Sequence, residues 1–210
     1  MRTLREEAGR FDRRAGRYDR WLKQRWFFRP VHEIVLSALR LQRGERFLEV
    51  GSGTGTLTLA AAATTGDAVG VDPAPRMVEE ARGKAVPRGV RVAWVVAAAE
   101  DLPFPDGSFD VAASSISMHH WVNLAAGLAE LSRVLRPGGR IVLADVAPRG
   151  LGRAAAAVTG LGSRRDHSAH DPDELARAVR DAGFSHVRVL RSGAMSRLVA
   201  FIAAEKEAAS

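Results

Sequence analysis

The chain has 210 residues, of which 46% are hydrophobic and 26% charged, and it suits one globular domain with a sizeable core. Because it contains no cysteine, disulfide frameworks, thiolate zinc sites and cysteine nucleophiles are excluded. No stretch has the roughly 18 uncharged apolar residues of a membrane helix, and the Arg-rich N-terminus has no apolar signal core, so we expect a cytoplasmic protein.

Positive charge is concentrated at the N-terminus. The formal net charge is +7, and residues 1–30 hold ten Arg or Lys against four Asp or Glu. One interpretation is contact with an anionic partner, such as a phospholipid membrane surface, nucleic acid or an acidic substrate. The other is a solvated helix face, since charge alone indicates only non-specific association.

A helical stripe runs through this N-terminal segment. Apolar side chains recur every three or four positions, namely Leu4, Ala8, Phe11, Ala15, Tyr18, Leu22 and Trp26. We predict that Pro30 ends this helix before a second one from Val31 to Leu39. Four aromatic residues lie close to Pro30: Trp21, Trp26, Phe27 and Phe28. We expect them either to pack in the core, to line a hydrophobic substrate mouth, or to contact a membrane or a second chain.

A glycine-rich turn follows the first strand of the core. The apolar run that ends at Val50 leads into three alternate glycines and a helix from Leu57 to Ala63, which predicts strand, tight loop and helix. A second apolar run ends about twenty residues later in Asp72, whose carboxylate could accept hydrogen bonds from both ribose hydroxyls. Glu49, just before the glycines, would repel a diphosphate but would suit a cationic ligand.

The rest of the chain continues the α/β alternation. Apolar spacing predicts, in order, helix 75–85, strand 90–96, strand 109–114, helix 124–135, strand 141–145, helix 171–182 and strands 186–190 and 198–203. We expect the strand at 90–96 to be buried on both faces. The intervening segment, residues 147–170, either binds an acidic group or is a polar loop; its basic residues are Arg164, Arg165, His167 and His170.

Four segments in this order carry a family resemblance. They are F-D-x-x-A-x-x-Y-D from Phe11, E-x-G-x-G-x-G from Glu49, A-A-A-E-D-L-P-F from Ala97 with F-D-V from Phe109, and L-S-R-V-L-R-P-G-G-R from Leu131. Together they resemble class I S-adenosylmethionine-dependent methyltransferases of the ubiquinone and menaquinone biosynthesis-like branch (methyltransferase type 11), over about residues 11–204.

The resemblance implies a fold and a division of the chain. The fold is a Rossmann-like three-layer α/β sandwich with a seven-stranded, mostly parallel sheet, a reversed last strand and a helical N-terminal cap. Residues 1–40 would form the cap over the cleft, residues 41–205 the cofactor-binding core and residues 206–210 a tail.

The resemblance also implies S-adenosyl-L-methionine as the cofactor, with S-adenosyl-L-homocysteine as its product. The residues implied at the cofactor are Tyr18, Glu49, Gly51, Ser52, Gly53, Gly55, Asp72, Pro73, Met77, Ala99, Glu100 and Ser114. One position departs from the family pattern, because Ala98 stands where relatives carry an Asp for the adenine amine. We therefore expect weaker cofactor binding, with adenine held by the backbone of Ala99 and by Glu100.

The turn after strand 109–114 contains the candidate catalytic group. Ligands bind beyond the carboxyl ends of strands in such sheets, and an imidazole there could take a proton from the acceptor, so we predict His119 as the base, ahead of His120. A structural role for the His-His-Trp segment is the alternative. The turn lacks the [DNS]-P-P-[YFW] tetrapeptide of nucleobase amino-methyltransferases. No metal is expected, because His167 and His170 lack a further anchored ligand.

We therefore predict a methyltransferase that acts on an O, C or N atom of a small, apolar or amphipathic molecule, as a monomer or homodimer. Nucleic acid is not expected as a partner, since no separate nucleic-acid domain is present. The first alternative is a non-catalytic S-adenosylmethionine-binding regulator or partner subunit. The others are an RNA or phospholipid methyltransferase that uses the basic arm, and a nicotinamide oxidoreductase.

Overall fold

The core of the protein is a seven-stranded sheet. The computed structural model describes residues 24–147 and 171–208. The strands are β1 (Arg46–Val50), β2 (Asp67–Asp72), β3 (Arg91–Val96), β4 (Phe109–Ser115), β5 (Leu135–Val146), β6 (Phe184–Leu190) and β7 (Val199–Lys206). They lie in the order β3-β2-β1-β4-β5-β7-β6; β1 to β5 pair in parallel, and β7 is antiparallel to both neighbours. The predicted mostly parallel sheet with a reversed last strand is confirmed.

Helices pack on both faces of this sheet. They are α1 (Arg29–Leu39), α2 (Thr56–Thr65), α3 (Pro75–Arg82), α4 (Leu124–Val134) and α5 (Pro172–Asp181). Successive side chains of a strand point to opposite faces, so Phe47 packs in a cluster with α1 and α2, whereas Leu48 packs with α4 and α5. The result is the predicted three-layer sandwich. Within the described ranges, no helix combines the length and apolarity needed to cross a membrane.

Two local predictions were wrong. Pro30 does not separate two helices, because a π-helical turn at Gln24–Phe28 runs directly into α1 and Phe28 itself has helical dihedrals. Pro30 lies in the first turn of α1, where a missing N–H removes no helical hydrogen bond. Strand β3 is not buried on both faces either: it lies at the edge of the sheet, and Val96 is 46% exposed.

Helix α1 is fixed to the sheet from two sides. Its apolar stripe is fully buried and consists of Val31, Val35 and Leu39. At its C-terminus, the guanidinium of Arg140 on β5 donates to the carbonyl oxygens of Leu39 and Arg40, at 2.6 and 2.9 Å, and pairs with Glu45 at 2.7 Å. The last carbonyl groups of a helix have no partner within it, so this arginine both caps α1 and holds it in place.

The indole ring of Trp94 on β3 packs against two glycines, Gly70 on β2 and Gly55 in the loop after β1. A Cβ on Gly70 of β2 would come within 2.4 Å of the Trp94 ring, and a Cβ on Gly55, which also has φ +80°, within 2.0 Å. Side chains at these positions would displace the indole. The indole ring therefore occupies the space that side chains would need and supports the glycine-rich loop from β3.

We expect Gly70→Ala to lower the free energy of unfolding by about 1–3 kcal/mol, because the new methyl group overpacks against Trp94. Trp94→Leu should recover part of this loss in the double variant, so the two effects should not add. Urea unfolding measures both.

Gly83→Ala is the matched control. Gly83 ends α3 at φ −72°, and a Cβ there would make only ordinary contacts. A loss in Gly70→Ala no larger than in this control would contradict the packing of Trp94 described above.

Candidate functional site

A cavity of about 960 Å³, open to solvent, lies at the carboxyl ends of four adjacent strands. In sheet order its lining comes from residues 97–100 after β3, 72–73 at the end of β2, 49–54 at the end of β1 and 115–117 at the end of β4. Phe28 and His32 of the α1 region and His120 and Trp121 after β4 complete the wall.

The glycine-rich loop after β1 packs tightly against its surroundings. The backbone N–H groups of Gly51 and Ser52 both donate to the carbonyl oxygen of Val71, at 2.8 and 2.9 Å. Gly51 has φ +79°, and a Cβ there would lie 2.1 Å from the hydroxyl oxygen of Ser117. The absence of a side chain therefore lets the loop contact the turn after β4.

Asp72 connects this loop to the end of β2. Its Oδ2 accepts the N–H of Gly53 at 2.8 Å and its Oδ1 accepts the N–H of Ala74 at 2.9 Å. The carboxylate also lines the cavity. Asp72 thus has a structural role, holding the loop in place, that the sequence analysis did not identify.

Glu49 is a buried acid, 2% exposed, on the floor of the cavity. The hydroxyl of Thr58 on α2 donates to its Oε2. Burial raises the pKa of Glu49 to about 8, with the charge of Asp72 adding to the rise and the Thr58 hydrogen bond and Lys84 opposing it. At neutral pH the side chain is therefore mostly protonated, and an approaching cation would favour its ionised form.

The turn after β4 is held by several hydrogen bonds. The hydroxyl oxygens of Ser114 and Ser117 lie 2.7 Å apart, and Ser117 also donates to the carbonyl oxygen of Val50 at 3.2 Å. Ile116 has φ +53°, a costly conformation for a β-branched residue, and its N–H donates to Ala144 at 2.7 Å. Ser114 is fully buried and lies behind the cavity wall, whereas residues 115–117 line it.

Two buried hydroxyls in the wall have no hydrogen-bond partner among the residues that the structure describes. They belong to Ser52 in the glycine loop and Ser115 at the end of β4. Buried polar groups are normally paired, so each unpaired hydroxyl next to a cavity is a candidate ligand contact. Ser52 was predicted from the sequence. Ser115 was not, because the strand was predicted to end at Ser114 and that serine was chosen instead.

The two histidines after β4 have different environments. The His119 side chain is 1% exposed; its Nδ1 lies 2.6 Å from Oδ1 of Asp145, and its backbone N–H donates to Oδ2 at 2.7 Å. The His120 ring lies against it, with centroids 3.9 Å apart, and lines the cavity. The structure therefore encloses the predicted base, His119, within the fold and turns its neighbour toward the cavity.

Most of the predicted cofactor residues line this one cavity: Glu49, Gly51, Ser52, Gly53, Asp72, Pro73, Met77, Ala99 and Glu100. Gly55 and Ser114 do not line it: Gly55 packs against the Trp94 ring, and Ser114 lies next to Ser117 in the turn after β4. Residues 1–23 of the basic arm, which include Tyr18, and residues 164–170 lie outside the described residues.

The sequence analysis preferred His119 to His120 as the base, and it did not identify His32 or Trp121 as site residues. The spacing of four residues between Phe28 and His32 places both on one side of the helical segment, and that was the available signal. The Oε1 atom of Glu100 accepts a hydrogen bond from the backbone N–H of Asn123 at 3.0 Å. This bond connects the segment after β3, which lines the cavity, to the start of α4.

We expect Glu49→Gln to flatten the pH dependence of stability. The folded state keeps a proton up to about pH 8, whereas an ordinary glutamate releases it near 4.5, so wild-type stability should fall as the pH rises between these values. Glutamine cannot titrate, so the variant should lose this decline and be the more stable protein at pH 9. Urea unfolding between pH 5 and 9 measures the slope, and the exposed Glu80→Gln is the matched control; equal slopes in all three proteins would contradict the assignment.

Comparison with known proteins agrees with the fold and the cavity. A family model described as a methyltransferase domain matches residues 48–143. A demethylmenaquinone methyltransferase from Tropheryma whipplei is 35% identical over 137 residues, which cover 64% of this chain and 56% of that protein. The chain thus spans little more than half the length of that relative.

In two further comparisons, the alignment covers a larger share of the related protein. Nocamycin O-methyltransferase from Saccharothrix syringae is 34% identical over 205 residues, covering 86% of this chain and 72% of that protein. The crystal structure of an S-adenosylmethionine-dependent methyltransferase from Thermotoga maritima superimposes with a TM-score of 0.73 at 26% identity, covering 96% of this chain and all of that one. This chain therefore belongs to the class I S-adenosylmethionine-dependent methyltransferases, in their ubiquinone and menaquinone-like branch.

Proposed function

We propose that this protein transfers a methyl group from S-adenosylmethionine to a small apolar or amphipathic molecule in the cytoplasm. One observation carries the choice of cofactor. The cavity wall contains the carboxyl groups of Glu49, Asp72 and Glu100, but no Lys or Arg from the described residues. A diphosphate cofactor would find no cation there, whereas a sulfonium with an α-amino group suits acidic surroundings.

The order of the strands gives each part of the cofactor a set of residues. We assign the adenine to residues 97–100, the ribose hydroxyls to Asp72 and the methionine part to the glycine loop with Glu49. Neighbouring strands lie about 4.8 Å apart, so the three strand ends from β3 to β1 span about 10 Å. We also propose that residues 41–205 form the catalytic core and that residues 1–40 form its cap.

The rest of the cavity wall, formed by the end of β4 and by the α1 region, is assigned to the methyl acceptor. When bound, S-adenosylmethionine supplies an electrophilic methyl group, and the protein must orient a nucleophile toward it and exclude water. His120 lines this part of the cavity, and an imidazole has a reference pKa of about 6.5, which suits proton abstraction at neutral pH. We assign His120 the role of base that takes the proton of an acidic hydroxyl or carbon acid.

The names of the relatives support this acceptor class. Demethylmenaquinone is a quinone, and the nocamycin enzyme is named an O-methyltransferase. For this chain we propose a quinol or enol whose oxygen or neighbouring carbon receives the methyl group. A non-catalytic cofactor-binding role is the second candidate, since Ala98 in the wall offers no side-chain acceptor to the adenine amine.

Cofactor binding can be tested by calorimetric titration with S-adenosylhomocysteine, with NADH as the negative control. We expect Ala98→Asp to tighten binding about tenfold or more, because a carboxylate hydrogen bond to the adenine amine adds about 1.5–3 kcal/mol. Ala85→Asp adds the same charge at an exposed position and should leave the affinity unchanged. Heat with NADH but none with S-adenosylhomocysteine would overturn the proposed cofactor.

Turnover can be tested with methyl-labelled S-adenosylmethionine and a panel of acceptors containing 1,4-dihydroxynaphthalene, a simple phenol and a cyclic enol. We expect His120→Phe to lower kcat about 10²-fold or more, without weakening S-adenosylhomocysteine binding, because only proton transfer is lost.

His186→Gln is the matched control, since this imidazole lies on β6 and is largely exposed to solvent. An unchanged kcat in His120→Phe would remove His120 from the mechanism. Methylation of no acceptor in the panel would favour the non-catalytic candidate.

A further inference from the structure

A second histidine, His32, lines the same cavity from a different element, helix α1. His32 lies in the first turns of α1, next to Val31, which is fully buried against the sheet. Its ring lies 6.2 Å from that of Phe28, and both side chains line the cavity. Because Arg140 and the buried stripe fix α1, the position of this imidazole is set by the fold.

The His32 ring makes no hydrogen bond to the described parts of the chain, although it is half-buried. Burial lowers the pKa of His32 to about 4, so the imidazole is neutral at physiological pH. A neutral imidazole offers one N–H donor and one bare nitrogen acceptor. A partly desolvated polar group without a partner costs free energy, and a ligand that pairs with it would recover that cost.

The position of His32 limits what such a ligand can be. The proposed cofactor uses the ends of β3, β2 and β1, so the α1 side of the cavity faces the space left for the acceptor. His32 cannot serve well as a base near pH 7, because its conjugate acid is too strong. The other titratable groups lining the cavity are Glu49, Asp72, Glu100 and His120.

We propose that His32 positions the acceptor by hydrogen-bonding a second polar atom, one that is not methylated, while His120 faces the reacting atom. This inference rests on the proposed function and adds a requirement to it. The acceptor carries two oxygen functions on one apolar skeleton, which contacts the Phe28 ring. Trp121 and Ile116 supply further apolar surface in the same wall.

The test compares two probes that differ by a single oxygen, 1,4-dihydroxynaphthalene and 1-naphthol. In His32→Phe we expect KM for the dihydroxy probe to rise about tenfold, the value of one ordinary hydrogen bond, and KM for 1-naphthol to change less than about twofold. His32→Gln keeps a donor and an acceptor and should stay within about threefold of wild type. Binding of S-adenosylhomocysteine should be unchanged in both variants.

Two further measurements separate positioning from a structural role. His32→Phe should raise the Tm of the unliganded protein by about 2–4 °C, because it removes a desolvated polar group. The pH–rate profile should keep its shape in His32→Phe and change in His120→Phe. Glu33→Gln, on the exposed side of α1, is the matched control.

Equal losses with both probes, or no loss with either, would overturn the role of His32 and leave the proposed function intact. Weaker S-adenosylhomocysteine binding in His32→Phe would also overturn it, since the residue would then belong to the cofactor site. Wild-type protein that binds no S-adenosylhomocysteine would contradict the proposed function, and the role of His32 with it.

Discussion

The two hydrogen bonds accepted by Asp72 hold the candidate site together. One comes from the glycine loop after β1 and the other from the start of the segment after β2. A tight glycine loop has backbone N–H groups that its own turn cannot pair, so an acid on the adjacent strand is needed to fix its shape. The same carboxylate faces the cavity. The geometry of the loop and one part of the cavity wall therefore depend on the same side chain.

Paired arginines lie near the amino ends of the strands, but not in the described wall of the cavity at their carboxyl ends. Near the amino ends of the strands, Arg140 binds α1 and Glu45, and Arg133 binds the carbonyl oxygens of Leu102 and Phe104. At the carboxyl ends, the cavity lining that the structure describes contains the carboxyl groups of Glu49, Asp72 and Glu100 but no Lys or Arg. A buried carboxyl without a cationic partner is costly, and the fold reduces the cost at Glu49 by a Thr58 hydrogen bond and by protonation. Such an arrangement favours a cationic ligand over an anionic one.

The sequence predicted the elements of the fold well and the inner shape of the site only in part. Strand runs, the glycine loop and Asp72 follow local rules of spacing, and they lie where expected. Gly55 was assigned to the ligand because motif spacing cannot distinguish a glycine needed for ligand approach from one needed by Trp94, a residue about 40 positions away. His119 and His120 differ by one position in a 3₁₀ turn, and only the buried Asp145 decides which imidazole is enclosed. His32 was missed because the docking of α1 depends on long-range contacts.

The two sides of the cavity differ in how freely they can vary. On the proposed cofactor side, Gly70 and Gly51 have neighbours so close that a methyl group would displace Trp94 or Ser117. The turn after β4 is equally constrained, since Ile116 stays at positive φ only because hydrogen bonds around it fix the chain. Phe28 and His32 lie on a helix held by other residues, its buried stripe and Arg140. Phe28 is buried among core residues, whereas His32 is only half-buried, so under the proposed function we expect a substitution at His32 to alter acceptor choice at a lower cost in stability than one at Phe28.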